Sequence, residues 1–249
     1  MMQSPLLESA ITFYDQIAPF YSQELAARAE YVGSINRLVI EALSRSGSSK
    51  IIDIGCGNGE RARTIADNLD GVEITGIDTS AEMAKQASLY DINVINIDIA
   101  QELTQDDVDS VGGNDAALCL WNVLGHIKEA KRQVALMNMK RLLDPNGQLM
   151  IDVNNRHNRA AYGLRPALRN TLKDFVSRND NRHGDFPISR NVGEKTIATE
   201  THIFSWRELL LLLEKSGFNV LETYSVNYET GEIEWLKSAG QIFIIAEKG

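Results

Sequence analysis

The 249-residue chain predicts an α/β fold, doubly wound about a mostly parallel sheet with an antiparallel final strand. Three observations predict it. From about residue 52 onward, short apolar runs alternate with helix-period segments, the pattern of βαβ units. A glycine-rich turn at 55–59 follows the first apolar run, where such a sheet opens its ligand crevice. The last two apolar runs have no helix between them, so they read as an antiparallel pair joined by a longer loop.

In chain order, strands are expected at 50–54, 72–77, 93–97, 116–120, 147–153, 220–228 and 241–246. Helices are expected at 61–68, 81–88, 127–143 and 206–216, the last opening at Ser205 as N-cap and stopping at Gly217. Residues 1–46 read as a helical lid carrying Phe13, Tyr14, Phe20 and Tyr21. Residues 47–155 form the core with the glycine turn, and 205–249 supply the last helix and the antiparallel pair. The 156–204 stretch is too long for an ordinary connection and reads as a cap insertion. All four belong to a single domain, as the length allows.

Composition narrows the function classes. Hydrophobic residues make up 43% of the chain, enough for a large core, and the net charge of -9 disfavours a phosphate-backbone partner. The two cysteines, Cys56 and Cys119, lie inside apolar runs and read as buried thiols in a reducing compartment. No run approaches the ~20 apolar residues of a membrane span, and the N-terminus lacks a signal-peptide pattern. A cytoplasmic enzyme without nucleic-acid or membrane partner is expected; the oligomeric state is not legible.

The sharpest motif is Asp53-Ile-Gly-Cys-Gly-Asn-Gly59. Gly55, Gly57 and Gly59 permit a tight turn and close approach of a ligand to bare backbone. A dinucleotide fingerprint would place its third glycine at position 60, where Glu60 stands, an acid ill suited to lie beside phosphate. The segment resembles motif I of class I S-adenosylmethionine-dependent methyltransferases, and the resemblance runs over about 50–155. It implies a Rossmann-like fold with S-adenosylmethionine as cofactor and S-adenosylhomocysteine as product. A glycine-rich structural turn is the alternative for the motif alone.

Asp78 follows Gly59 by nineteen residues at a strand end, before Thr79 and Ser80. A carboxylate there can accept from both ribose hydroxyls; taken alone, it reads equally as a helix cap. The resemblance assigns Met83 to the adenine ring, with core packing as the alternative. It assigns Asp98 to the adenine amino group and the amide of Ile99 to a ring nitrogen. The acids Glu102, Asp106, Asp107 and Asp109 read as a solvated run.

The block Cys119-Leu-Trp-Asn-Val-Leu-Gly-His-Ile127 is similar to glycine and sarcosine N-methyltransferases. By that likeness Leu120 offers its backbone to the methionine part of the cofactor and His126 lies nearby. Trp121 and Asn122 project toward the acceptor. The Asn/Asp-Pro-Pro-aromatic tetrapeptide of base-amino methyltransferases is absent. The ends of the fourth and fifth strands carry Asn122, Asn154 and Asn155, so a hard cation would lack charged oxygens and no metal is expected.

Transfer from a sulfonium is an in-line displacement that asks mainly for alignment, with N or O acceptors expected before C. His126 is the candidate base where a proton must leave, with capping of the following helix as its structural alternative; His157 is a second candidate. Phe13-Tyr-Asp-Gln-Ile-Ala-Pro-Phe-Tyr21 resembles the segment that folds over the cofactor in small-molecule methyltransferases. It puts Tyr14 at the cofactor and Tyr21 near the acceptor, or else both form a packing stripe. Arg28 is assigned to the methionine carboxylate.

Residues 156–190 hold eight Lys or Arg against three Asp. They read either as a solvated face or as donors to an anionic small-molecule acceptor, from Arg156, Arg159, Arg165 or Arg169 with Tyr162 as aromatic contact. An RNA or protein methyltransferase on the same fold and a non-catalytic cofactor-binding protein are the rival readings.

Overall fold

The computed structural model describes residues 7–176 and 182–249. The chain opens with β1 (Leu7–Glu8) and α1 (Ala10–Ile17), whose N-cap Ser9 accepts from the Thr12 amide. Pro19 falls in a short 3-10 turn, Ala18–Phe20, because proline has no N–H to continue the α-helix. The chain then restarts as α2 (Tyr21–Ala26) and runs into α3 (Ala29–Ser46).

The core follows: β2 (Lys50–Ile54), α4 (Glu60–Ala66), β3 (Glu73–Ile77), α5 (Ala81–Ala87) and β4 (Asn93–Ile95). Next come α6 (Gln105–Val111), β5 (Asn114–Cys119), α7 (Val123–His126), α8 (Glu129–Leu142) and β6 (Leu143–Val153). The insertion contributes α9 (Arg159–Tyr162), α10 (Leu164–Val176), β7 (Asp185–Val192) and β8 (Lys195–His202). The chain closes with α11 (Trp206–Lys215), β9 (Phe218–Val226), β10 (Ile233–Glu234) and β11 (Gln241–Lys248).

The main sheet has the order β10-β9-β11-β6-β5-β2-β3-β4. β2 pairs in parallel with both β3 and β5, whereas β11 is antiparallel to β6 and β9. Strand order therefore reverses direction at β2, and the ligand crevice belongs at the carboxyl ends of the strands there. Helices cover both faces, so the isoleucines of β2 are buried on either side of the sheet. Ile52 and Ile54 enter one core cluster with Leu136, Phe204 and Leu209, and Ile51 enters a second with Tyr31, Leu43 and Phe243.

All seven expected strands and four expected helices are present, with ends moved by a few residues. Two differences have local causes. Glu102, Asp106 and Asp109 are exposed, as expected of a solvated run, but the segment is also helical: Thr104 and Asp107 form a reciprocal capping box that starts α6. The insertion holds a β-hairpin that strong hydrophobic alternation would have announced but KTIATETH does not. β8 also pairs in parallel with β1, Leu7 against Ala198 and Glu8 against Thr199, so the N-terminal segment and the insertion share a second sheet.

The insertion is anchored by buried charge. The Arg156 guanidinium is 1% exposed and donates to Asp174 at 2.6 Å and to Glu208 at 2.5 Å. His202 bridges Asp185 and Glu208 at 2.7 and 2.9 Å, with Arg132 beside both acids. These pairs hold α10 and β7 against α8 and α11.

Candidate active site

Two cavities meet at the carboxyl ends of β2, β3 and β5. The larger, about 470 Å³, is lined by Gly55, Gly57, Asp78, Thr79, Met83, Asp98 and Ile99. Gly55 and Gly57 have φ of +67° and +56°, where a side chain is strained. A Cβ on Gly55 would lie 2.6 Å from Val123, and one on Gly57 would lie 3.2 Å from the Tyr21 ring. The backbone is thus bare where a ligand must come close. Gly59 sits outside the cavity, at the N-cap of α4 against Ala87.

Asp78 accepts from the Gly57 amide at 2.9 Å and from the Ser80 amide at 2.8 Å. Burial pushes its carboxyl up, and those backbone bonds oppose the shift. Asp98 accepts from the Ala100 amide at 2.9 Å and the Gln101 side chain at 3.2 Å. Asp53 and Leu120 are buried behind the loop and line neither cavity. Burial pushes the Asp53 carboxyl up to about 7, against the pull of Arg61.

The smaller cavity, about 240 Å³, shares Tyr14, Tyr21, Trp121 and His126 with the larger one. Trp121 and Asn122 take the left-handed conformation, φ +63° and +59°, uncommon without glycine. The turn is held from several sides. The Trp121 amide donates to the Asp152 carboxylate, and the Asn122 side chain donates to Thr201 and His202 and accepts from the Asn154 amide. Asn122 therefore lines the second cavity with its hydrogen-bonding capacity already used, while the Trp121 ring stands in the shared wall.

His126 ends α7, and the N-cap of α8 is Lys128, so the histidine does not cap the following helix. Its Nε2 shares a 2.9 Å hydrogen bond with the Tyr14 hydroxyl. Burial pushes the imidazole down to about 4, against a smaller pull from the Glu200 backbone, so the ring is neutral near pH 7. Burial pushes the Tyr14 phenol up. His157 is elsewhere, bonded to Asp174 at 2.6 Å.

Several expected acceptor contacts are relocated. Arg156 is committed to its buried ion pairs and lines neither cavity, because Asp174 and Glu208 turn it into the anchor of the insertion. Tyr162 is also outside both, with burial pushing its phenol up to about 12. Arg159, Arg165 and Arg169 lie on the solvent side. The cations at the second cavity are Arg28 and Arg190. Arg28 donates to Glu229 at 2.6 Å and stacks 4.5 Å from the centre of the Tyr228 ring. Arg190, on β7, forms a fork with Glu24 of α2 at 2.8 Å. Glu24, Arg190, Thr201 and Tyr228 were not singled out from sequence. The available signal was Gly193 between two polar, β-branched runs, which marks the hairpin that carries Arg190 and Thr201.

A family model described as "Methyltransferase domain" matches residues 25–223. The chain belongs to this family. A protein of Methanocaldococcus jannaschii, MJ1252, described only as uncharacterized, is 25% identical over 89% of this chain and 81% of its own length. A ubiquinone biosynthesis O-methyltransferase of Chromobacterium violaceum is 29% identical over 79% of this chain and 82% of its own. Rattus norvegicus glycine N-methyltransferase is 29% identical over 51% of this chain and 48% of its own, about half of each. An S-adenosylmethionine-dependent methyltransferase structure from Clostridium acetobutylicum shares the fold, with a TM-score of 0.65, 13% identity, and coverage of 95% and 99%.

This methyltransferase therefore uses S-adenosylmethionine. The larger cavity suits that group: a bare glycine backbone that a Cβ would fill, and the Asp78 and Asp98 carboxylates just past β3 and β4. Among the described residues, no group of three or more His, Cys, Asp or Glu is arranged to hold a metal ion.

Proposed function

We propose that the enzyme methylates a small-molecule acceptor seated in the second cavity, on nitrogen or oxygen rather than carbon, and that the acceptor carries an anionic group. The single observation behind this reading is the shared wall of Tyr14, Tyr21, Trp121 and His126, which brings two separate cavities to one boundary. The cofactor supplies an activated methyl group on a sulfonium. Asp78 and Thr79 hold its ribose, Met83, Asp98 and Ile99 its adenine, and the 55–57 backbone its methionine end. Glycine N-methyltransferase and ubiquinone biosynthesis O-methyltransferase, by their names, act on small molecules, which supports the acceptor class.

The chain's own contribution is positioning. The cavity of about 240 Å³ limits the acceptor to metabolite size. Arg190 and Arg28 offer planar forks to a carboxylate or phosphate, in competition with Glu24 and Glu229 that now occupy them. Where a proton must leave, the Tyr14 hydroxyl and the neutral His126 nitrogen form a two-membered relay at the boundary. The helical segment broken at Pro19 carries Tyr14 and Tyr21 over the site and acts as a lid that excludes water.

A radiolabelled methyl-transfer screen over metabolite pools, with RNA and protein fractions in parallel, tests the reading. Transfer to a small anionic acceptor, lost in Arg190→Gln, is expected. Transfer only to RNA or protein, or none to any fraction, overturns it. Hydrogen exchange in residues 10–30 should slow on adding S-adenosylhomocysteine, and unchanged exchange refutes the lid.

A further inference from the structure

Helix α10 turns its apolar side away from the protein. Leu164, Leu168, Leu172 and Val176 are 60%, 55%, 67% and 80% exposed, and their spacing of four places them in one stripe along the helix. The opposite side makes the contact with the core: Ala167 is buried, Asn170 donates to the Arg156 carbonyl, and Asp174 pairs with Arg156. A helix that had only to cap the fold would bury those leucines. Four large apolar side chains in one exposed row make a patch that soluble surfaces rarely carry without use.

The flank of the stripe identifies its occupant. Arg165, Arg169 and Lys173 repeat at intervals of four along one edge, and all three are exposed. The only acid of α10 is Asp174, which faces inward to Arg156. From 159 to 173 the chain carries four Arg or Lys and no acid, inside a protein of net charge -9.

We infer that α10 lies in the surface of an anionic lipid bilayer, with the leucines in the acyl boundary and the basic edge on the headgroup phosphates. A second copy of the chain suits the surface less well, because an antiparallel two-fold contact along the stripe would bring the two basic edges to the same side. The sequence-based expectation of no membrane partner came from the lack of a spanning run, and a helix lying in the interface needs none. Among the described residues no helix is long and apolar enough to cross a membrane. This inference is independent of the acceptor's identity.

The test is sedimentation of the full chain with phosphatidylcholine vesicles, with and without phosphatidylglycerol, at low and high salt. Salt-sensitive binding to the anionic vesicles alone is expected. The double variant Leu168→Glu/Leu172→Glu should abolish it. Arg165→Gln/Arg169→Gln/Lys173→Gln should weaken it roughly a hundredfold, about tenfold or less per basic residue. Both variants change exposed side chains, and unaltered S-adenosylmethionine binding checks their folding. Absence of binding to any vesicle, binding indifferent to the leucine changes, or a dimer that Leu168→Glu dissolves would each overturn the proposal.

Discussion

The two cavities are built by different means. The larger is walled by strand ends and by backbone, with Gly55, Gly57, Asp78 and Asp98 following directly from β2, β3 and β4. The smaller is walled by side chains delivered from α1, α2, β7, β8 and the segment after β9, which the chain brings together from positions about 200 residues apart. One site is set by the parallel sheet, where its strand order reverses. The other is set by the lid and the insertion, which can change without disturbing the sheet. Cofactor identity therefore follows from family membership, while under the proposed function acceptor identity depends on the inserted hairpin.

That contrast can be broken most forcefully at the anchor of the insertion. Arg156→Met removes the buried guanidinium shared by Asp174 and Glu208, which keep His157 and His202 as partners, and should cost up to about 3–5 kcal/mol of stability. Thermal unfolding would show it, and S-adenosylmethionine affinity measured well below the transition should change little. Loss of both together would mean that the two cavities do not stand on separate supports.

Next in size is a pair of opposed pH effects. The unfolded chain protonates His126 near 6.5 but the folded protein only near 4, so its contribution is lost as pH falls through that window. Asp53 acts in the opposite sense: the folded carboxyl keeps its proton up to about 7 and the unfolded one releases it near 3.8. Its contribution is lost as pH rises through the same range. Each shift corresponds to roughly 3–4 kcal/mol, and they largely cancel in the native protein. His126→Gln should make the unfolding midpoint fall as pH rises from 4 to 7, and Asp53→Asn should make it rise. Parallel curves for the two variants would contradict the assignment.

Asp78→Ala tests the strand-end site alone and should weaken cofactor binding by about 1.5–3 kcal/mol, read by calorimetry, with the unfolding midpoint little altered. The smallest effect belongs to the shared wall. Tyr14→Phe removes one hydrogen bond to His126 and should cost about 0.5–1.5 kcal/mol of stability. Its effect on turnover separates the acceptor types: a marked fall in kcat implies a proton that must leave, and an unchanged kcat implies a free amine.

Legibility followed the same division. Asp53-Ile-Gly-Cys-Gly-Asn-Gly59 announced its turn because adjacent residues carry the constraint, and Asp78, Asp98 and Ile99, which the family resemblance named, line the larger cavity. Arg28 was assigned to the methionine carboxylate but stands at the second cavity beside Tyr228. Arg156 was expected at the acceptor because it lies in a basic segment. Its partners Asp174 and Glu208 are 18 and 52 residues away, and nothing local distinguishes a paired arginine from a free one.

By itself the sequence determined the doubly wound sheet, its reversed final strand and the glycine turn at 55–59. Each of these rests on periodicity, on a backbone-restricted residue or on neighbours within a few positions. Only the tertiary structure decided that β1 joins β8, that Arg190 rather than Arg156 meets the second cavity, and that α10 faces outward. Those outcomes depend on which distant carboxylate captures which guanidinium and on which face of a helix finds a partner, and burial and charge pairing settle both only once the chain is packed.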